Sequence, residues 1–215
     1  MTIRQNFMAW SYDRTMARYE SDAGPRRTAL LVDLGLRIVE LGPGSGVNLK
    51  YMWDATGAAP DLEWIGVEPS APMRERLLAR AATDCPDLRL RFAEQQEGVI
   101  DIESGWADTV ICTLVLCSVP DQAAVLSEAH RILKPGGRLL FMEHVAAPRG
   151  SLLRAVQIVV TPFWTLLSDG CKLNRDTGEA LRQAGFRELE LVHYKTHPGA
   201  MPFFVRPHIH GSALK

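Results

Sequence analysis

The sequence has no excess of charge and few cysteines. Its 24 basic and 25 acidic side chains leave a net charge of −1, so bulk electrostatics gives no reason to expect a nucleic-acid partner. The four cysteines show no C-x-x-C spacing, and no signal peptide opens the chain. We therefore expect free thiols and a location in the reducing cytoplasm.

Long apolar runs and metal-ligand clusters are also missing. The most apolar stretch, 152–167, is interrupted by Pro162 and is shorter than the about 20 residues of a membrane span. Among six histidines only His208 and His210 are close together, and no third ligand accompanies them, so no metal site is predicted. The chain shows no repeat, low-complexity segment or linker, which indicates one domain over residues 1–215.

The most informative segment is IVELGPGSG at 38–46. A short apolar strand runs directly into three glycines, and an amphipathic stretch at 48–55 follows. A strand, a glycine turn and a helix together form a cofactor site at the edge of an α/β sheet, because a Cβ would keep the ligand off the backbone. The candidate residues are Glu40, Gly42, Gly44, Gly46 and Asn48.

The spacing of this segment, E-x-G-x-G-x-G, distinguishes two kinds of cofactor. A dinucleotide site usually has G-x-G-x-x-G, whereas here the third glycine comes one residue early and an acid precedes the first. An acid beside the loop suits a cationic ligand, and S-adenosylmethionine carries an ammonium and a sulfonium. The segment resembles the first motif of class I methyltransferases, in which the surroundings of the acid hold the methionine end. An ordinary glycine-rich turn is the alternative.

A second acid ends the next predicted strand, LEWIGVE at 62–68. Glu68 lies close to the interval of about 20 residues after the glycine loop at which an acidic side chain binds a ribose. A carboxylate there can accept hydrogen bonds from both ribose hydroxyls, and Pro69 ends the strand. We therefore expect Glu68 and Pro69 to contact the cofactor. A solvated acid at a strand end is the alternative.

Strands that alternate with helices predict an α/β fold with a doubly wound, mostly parallel sheet. The predicted strands are 37–41, 62–68, 88–92, 108–113, 138–144, 186–194 and 203–210. The predicted helices are 7–20, 25–34, 48–55, 71–82, 121–133 and 175–184, and a sharp KPGG turn is expected at 134–137. We expect a helical cap over 1–35 and an apolar insertion, 151–170, over the active site.

Longer strings point to a narrower family. The stretches CTLVLCSV, FMEHV and RPHI-x-G are similar to those of the methyltransferase-like alkyl thiol S-methyltransferases, and the similarity extends over nearly the whole chain. The resemblance implies S-adenosylmethionine as cofactor, S-adenosylhomocysteine as its product, and a seven-stranded sheet whose last strand lies antiparallel beside the fifth. Pro43 stands where that family usually has Cys, and Glu68 where it usually has Asp. Its animal members carry an N-terminal membrane anchor that this sequence does not show, so no membrane location is expected.

The remaining cofactor contacts are expected at the ends of two strands. The methyl group should emerge where the fourth strand ends, beside Cys112, Thr113 and Leu114. The adenine should lie after the third strand, at Gln96 and Glu97. The gap from these residues to Asp108 is one residue longer than in the usual motif, which leaves the assignment of the adenine contacts open by a residue or more.

The acceptor site is expected to be aromatic and apolar, which favours a small lipophilic molecule over a charged macromolecule. A thiol needs only deprotonation and is partly ionised at neutral pH, so no catalytic triad is expected. His144, at the end of the fifth strand, is the candidate catalytic base. Each candidate side chain could instead only pack in the core. The candidates for acceptor contact are Tyr12, Tyr19, Cys117, Trp164, Asp169 and His208.

The leading prediction is transfer of a methyl group from S-adenosylmethionine to a small lipophilic thiol. Methylation of oxygen, nitrogen or carbon in a small metabolite is an alternative, because the same fold hosts all of these reactions. A cofactor-binding regulatory protein without activity is another. The misplaced third glycine disfavours a dehydrogenase. The number of subunits is left open.

Overall fold

The computed structural model describes residues 3–57 and 59–215, with the side chains of the first helix described from residue 17 onward. Its helices are α1 Ile3–Leu30, α2 Val47–Ala55, α3 Ala71–Asp84, α4 Gln122–Ile132, α5 Leu152–Leu167 and α6 Thr177–Gln183. Its strands are β1 Arg37–Leu41, β2 Glu63–Val67, β3 Arg89–Phe92, β4 Gln95–Gln96, β5 Val99–Ile100, β6 Ala107–Thr113, β7 Leu133–His144, β8 Arg187–Lys195 and β9 Pro207–Leu214.

Seven strands form one sheet in the order β3-β2-β1-β6-β7-β9-β8. The first five of these are parallel, and β9 lies antiparallel between β7 and β8. The expected seven-stranded sheet, with its last strand antiparallel beside the fifth, is confirmed. The strand order reverses between β1 and β6, where Leu41 is paired with Cys112. In open α/β sheets ligands bind at such a switch point, beyond the carboxyl ends of the strands.

Helices cover both faces of the sheet, so its central strands are buried. On one face, the β1 residue Ile38 packs with Tyr19 of α1 and Leu49 of α2. On the other face, its neighbour Val39 packs with Leu126 of α4 and with α6. Burial on both faces explains why β1 reads as a continuous apolar run rather than as an alternating pattern. Glu40, which shares a face with Ile38, is the polar exception in this strand.

The first helix differs from its prediction. The sequence predicts two helices, 7–20 and 25–34, because proline removes a backbone donor and clashes with the preceding turn. The structure instead has one helix, with Pro25 inside it. Tyr19 and Ala23 before the proline and Leu30 after it are buried in one apolar cluster. Packing of this face against the sheet outweighs the local cost of the proline.

The KPGG turn belongs to β7 rather than preceding it. Leu133 pairs with Ala107 and Arg138 pairs with Thr109, so residues 134–137 form an irregular extension of the strand. A Cβ on Gly137 would lie only 3.0–3.1 Å from three backbone oxygens, which explains the glycine. The last strand also shifts, to Pro207–Leu214 instead of 203–210. The other predicted strands agree with the structure to within about two residues.

The apolar insertion forms helix α5, and its apolar side chains are mostly on the surface. Val159 and Phe163 are each 71% exposed, whereas Gln157 is fully buried. The Gln157 amide accepts a hydrogen bond from the Ala147 N–H at 2.7 Å and donates to the Phe204 carbonyl at 2.9 Å. These bonds attach α5 to the body of the protein. In the described residues, no helix is long and apolar enough to cross a membrane.

Candidate active site

The glycine loop between β1 and α2 leaves open space at one glycine. Gly42, Gly44 and Gly46 all have positive φ, at 58°, 57° and 81°. A Cβ on Gly42 would lie 2.5 Å from Val115, whereas a Cβ on Gly44 would meet no described atom within 4 Å. The Gly44 backbone therefore faces a space that a ligand can enter. This arrangement fits the nucleoside of S-adenosylmethionine at the carboxyl end of β1.

Glu68 lies directly beside that loop, as the spacing predicts. One of its carboxylate oxygens accepts a hydrogen bond from the Gly44 N–H at 2.9 Å, and the other accepts one from the Ser70 N–H at 2.9 Å. Burial raises the pKa of Glu68, and these two bonds partly oppose the rise. Glu68 is 7% exposed, and its carboxylate keeps acceptor lone pairs beyond these two bonds. Pro69 follows it at the start of the turn into α3.

Glu40 is buried behind the loop. Its carboxylate accepts hydrogen bonds from Asn48 Nδ2 at 2.8 Å and from Trp64 Nε1 at 3.2 Å. Burial raises its pKa to about 7. The side chain is 1% exposed, so Glu40 orients Asn48 at the start of α2. Any effect of Glu40 on the methionine end of a cofactor therefore passes through Asn48.

Arg27 joins this network and is a residue that the sequence analysis missed. Its guanidinium donates two bonds of 2.9 Å to the Glu20 carboxylate, and it also donates to Asn48 Oδ1 and to Thr113 Oγ1. It is 2% exposed and connects α1 to α2 and to the end of β6. In the sequence, Arg26-Arg27 looks like an ordinary surface pair, because the partners that bury Arg27 lie up to 86 residues away.

The end of β6 is held by a second buried acid that the sequence analysis did not single out. Leu114 has a φ of 59°, and the chain turns sharply there. The Glu143 carboxylate accepts hydrogen bonds from the N–H groups of Val115 at 2.8 Å, Leu116 at 3.0 Å and Cys117 at 3.3 Å. Burial raises the pKa of Glu143 to about 7. Glu143 thus fixes the backbone just after Cys112, Thr113 and Leu114.

The predicted adenine residues lie on a small hairpin. Gln96 ends β4, which pairs with β5, and Glu97 follows it. Both side chains are exposed. Glu94 lies nearer the carboxyl end of β3. Arg74 donates to Glu94 at 2.8 Å and also to the Glu68 carbonyl. Glu94 is therefore a second candidate for this region, and the assignment to Gln96 and Glu97 stays a prediction.

Four aromatic rings, those of Tyr19, His144, Tyr194 and His208, meet where β7 ends. The rings of Tyr19 and His208 stack with centroids 5.5 Å apart, and the rings of His144 and His208 are 6.1 Å apart. Burial lowers the pKa of His208 to about 3, so this ring is neutral. Its Nδ1–H donates to the Arg206 carbonyl at 3.0 Å. The structure therefore brings Tyr19, His144 and His208 together.

His144 also belongs to a cluster with two cysteines. Its Nδ1 lies 3.4 Å from Cys171 Sγ, and its buried Nε2 has no hydrogen-bond partner among the described residues. The ligand atoms of Cys117, His144 and Cys171 lie within 4.8 Å of one another. The Cys117 thiol, with help from His144, lowers the pKa of Cys171 to about 4. Cys171 is absent from the sequence-based candidates.

The other candidates for acceptor contact are less closely grouped. The Trp164 ring packs edge-on against Phe204 at 5.4 Å, and its buried indole N–H has no acceptor in the described part of the chain. Asp169, with a φ of 50°, lies near enough to Glu68 to raise the pKa of that carboxyl. The end of α5 therefore approaches the cofactor side. The Tyr12 side chain lies outside the described residues.

Comparison with known proteins identifies the family. Residues 7–191 match the methyltransferase domain family. The human thiol S-methyltransferase TMT1A is 38% identical over 182 residues, which cover 84% of this chain and 71% of that protein. The rat thiol S-methyltransferase TMT1B is 36% identical over 83% of this chain and 70% of that protein.

A solved structure shares the fold at lower identity. The phosphoethanolamine N-methyltransferase 2 of Haemonchus contortus, in complex with S-adenosylmethionine, superposes with a TM-score of 0.69 at 17% identity, over 100% of this chain and 60% of that one. Three observations indicate S-adenosylmethionine as the cofactor: the matching family, the order of the strands in the sheet, and the open glycine loop beside Glu68. The chain belongs to the S-adenosylmethionine-dependent class I methyltransferases and, among them, to the family of the thiol S-methyltransferases.

Proposed function

We propose that this enzyme transfers the methyl group of S-adenosylmethionine to a small lipophilic thiol. The observation that carries the proposal is the 38% identity to the human thiol S-methyltransferase TMT1A over most of both chains. The 36% identity to rat TMT1B supports the same class of acceptor. The aromatic rings on the acceptor side are the chemical surroundings that an apolar acceptor requires.

We assign the nucleoside end of the cofactor to the loop and the acid beside it. Glu68 would accept hydrogen bonds from the ribose hydroxyls, with Pro69 next to it. Gly44 would allow close approach to the backbone, since no described atom occupies its Cβ direction. Gly42 and Gly46 hold the turn. The adenine would lie beyond β3, where Gln96, Glu97 and Glu94 are the available polar side chains.

We assign the methionine end to the network around Asn48. Asn48 Nδ2 lies 2.9 Å from Thr113 Oγ1, and Arg27 reaches both side chains. A buried guanidinium is a suitable partner for the carboxylate of the cofactor. Glu40, buried behind Asn48, would act on the same ligand by orienting the Asn48 amide. Cys112, Thr113 and Leu114 would then flank the methyl group.

The protein residues on the acceptor side would orient the acceptor and exclude water. S-adenosylmethionine, when bound, supplies an electrophilic methyl group, and holding two reactants in line can contribute about 7–11 kcal/mol. Tyr19, His208 and Trp164 would form the apolar wall, with Cys117 and Asp169 at its edge. His144, buried at the end of β7, is the candidate group that assists deprotonation of the acceptor.

Three acceptors that differ in one atom test the proposal. Benzenethiol, phenol and aniline share a ring and present sulfur, oxygen or nitrogen. With labelled S-adenosylmethionine, we expect methyl transfer to benzenethiol at least tenfold faster than to the other two. The Glu68→Ala variant should lose most of this activity at a limiting cofactor concentration, and Glu63→Ala, at the other end of β2, should retain it. Faster methylation of phenol or aniline would contradict the thiol assignment.

A further inference from the structure

The cluster of Cys117, His144 and Cys171 is assembled from three separate segments at the carboxyl edge of the sheet. Cys117 follows β6, His144 is the last residue of β7, and Cys171 follows α5. The Lys172 N–H donates to the Cys117 carbonyl at 2.9 Å, which holds two of these segments together. Glu143 binds the Cys117 N–H from the third. Hydrogen bonds between the three segments therefore hold the cluster together.

The chemistry of the three side chains matches that of a zinc ligand set. Two thiols and one imidazole are ligands that Zn²⁺ prefers. With Zn–S near 2.3 Å and Zn–N near 2.0–2.1 Å, tetrahedral geometry places neighbouring ligand atoms about 3.5–3.8 Å apart. The observed distance from Cys171 Sγ to His144 Nδ1 is 3.4 Å, and the three ligand atoms lie within 4.8 Å of one another. Small side-chain adjustments would bring them around one ion.

A second observation is that the protein leaves this cluster incompletely bonded. His144 is 1% exposed, and its Nδ1 has only the Cys171 sulfur, at 3.4 Å, as a partner among the described residues. Cys117 is 2% exposed, and its sulfur has only weak partners, Ser118 Oγ at 3.6 Å and the second thiol. Buried polar groups in native proteins are normally satisfied. Cys171 is only half-buried, which gives an ion a route to the cluster.

We propose that Cys117, His144 and Cys171 bind one Zn²⁺ ion whose fourth position takes the sulfur of the acceptor. Three protein ligands with one open position are typical of catalytic rather than structural zinc. The position fits the acceptor side, because His144 contacts the aromatic group of Tyr19 and His208. His144 would thus assist deprotonation as a metal ligand rather than as a free base.

The role of the ion rests on the proposed thiol methylation. On binding zinc, the acceptor thiol would release its proton to solvent and remain as a thiolate. The sulfur lone pair then forms the new S–C bond while the bond from the methyl carbon to the sulfonium breaks. The products are the methyl thioether and neutral S-adenosylhomocysteine, and no oxidant or reductant is required.

Cobalt substitution tests the metal site without any measurement of activity. Protein reduced with a phosphine under anaerobic conditions is titrated with Co²⁺, which reports tetrahedral thiolate ligation by charge-transfer and d–d absorption. We expect one equivalent to bind in the wild type and in Cys85→Ser, since Cys85 packs in a different apolar cluster. Cys117→Ser and Cys171→Ser should each weaken the charge-transfer bands, and the double variant should lose them. Circular dichroism verifies the fold of each variant.

Three results would overturn the proposal, and they differ from a failure of the thiol assignment. Absence of charge-transfer bands in the reduced wild type, or bands that both serine variants retain, excludes the site. The metal site is also excluded if a Cys117–Cys171 disulfide forms in air and the reduced protein takes up no metal. Undiminished thiol methylation by metal-free enzyme overturns the role of zinc while the proposed function stands. Conversely, cobalt bands that shift with benzenethiol but not with phenol support the role even if turnover is not detected.

Discussion

At the scale of single residues, Glu68 provides the most local test of the cofactor site. Its carboxylate is already bonded to the Gly44 N–H and would gain bonds from the ribose. Because hydrogen bonds to charged groups contribute about 1.5–3 kcal/mol, Glu68→Ala should weaken binding of S-adenosylmethionine by roughly that amount. Calorimetry measures it, with Glu63→Ala on the same strand as the control. Equal affinity in both variants would show that Glu68 does not contact the cofactor.

Glu40 makes a prediction about pH. Burial raises its pKa from 4.5 to about 7 in the folded protein, with Arg27 and Glu68 as its charged neighbours. The folded state therefore binds the proton more tightly, and the associated stability is present below about pH 4.5 and lost as the pH rises through 7. Glutamine cannot ionise. As the pH rises from 5 to 8, the wild type should therefore lose about 2–3 kcal/mol of unfolding free energy relative to Glu40→Gln.

Urea unfolding of the protein without cofactor at the two pH values measures this difference. The glutamine has a single acceptor oxygen, so it leaves either Asn48 or Trp64 without its bond, but that cost is the same at both pH values. A stability difference between variant and wild type that does not change with pH would show that Glu40 is ionised throughout.

At the scale of elements, Arg27 holds α1 against the body of the protein. Breaking a buried ion pair by removal of one partner costs about 3 kcal/mol or more, whereas an exposed pair contributes about 0–1 kcal/mol. Arg27→Ala should therefore speed hydrogen exchange throughout α1 and weaken cofactor binding. Arg18→Ala is the matched control, since Arg18 lies on the same helix and its side chain is exposed. Similar exchange in the two variants would contradict this role.

We also predict that the segments 7–20 and 152–167 form a mobile cover over the site. The structure adds a physical reason for α5, because its apolar side chains are mostly exposed and the turn after it approaches Glu68 through Asp169. Cofactor binding should therefore slow hydrogen exchange in α5 and in the turn that follows it. Exchange that is equal with and without S-adenosylmethionine would exclude closure over the cofactor.

Helices and strands that are marked by a few neighbouring residues have boundaries close to those predicted from the sequence. β1 extends over Arg37–Leu41, residue for residue as predicted, because a short apolar run between a loop and a glycine turn leaves little freedom. Asp121 caps α4 through bonds to the N–H groups of Ala123 and Ala124. The errors occur where tertiary contacts decide the outcome. The burial of Tyr19 and Leu30 continues α1 through Pro25, and pairing with β6 extends β7 through the KPGG stretch.

At the scale of the whole molecule, the glycine loop between β1 and α2 was predictable, and many of the side-chain contacts around it were not. Glu40, the glycines and Glu68 lie within one strand-turn-helix-strand unit with a recognisable spacing. Arg27, Glu143 and Cys171 contact partners that lie up to 86, 31 and 27 residues away, respectively. No local pattern marks such contacts. The folded sheet edge brings them together, which is why two cysteines and a histidine without motif spacing form one cluster.

The most direct test of thiol methylation offers one acceptor molecule with two competing groups. 4-Mercaptophenol carries a thiol and a hydroxyl on the same ring, so transport, solubility and ring packing are identical for both. After turnover with S-adenosylmethionine labelled as CD₃, mass spectrometry and NMR locate the label. We predict the CD₃ group on sulfur in essentially all of the product, with far less product from Glu68→Ala at a limiting cofactor concentration. Label on oxygen, or on carbon, would contradict the account.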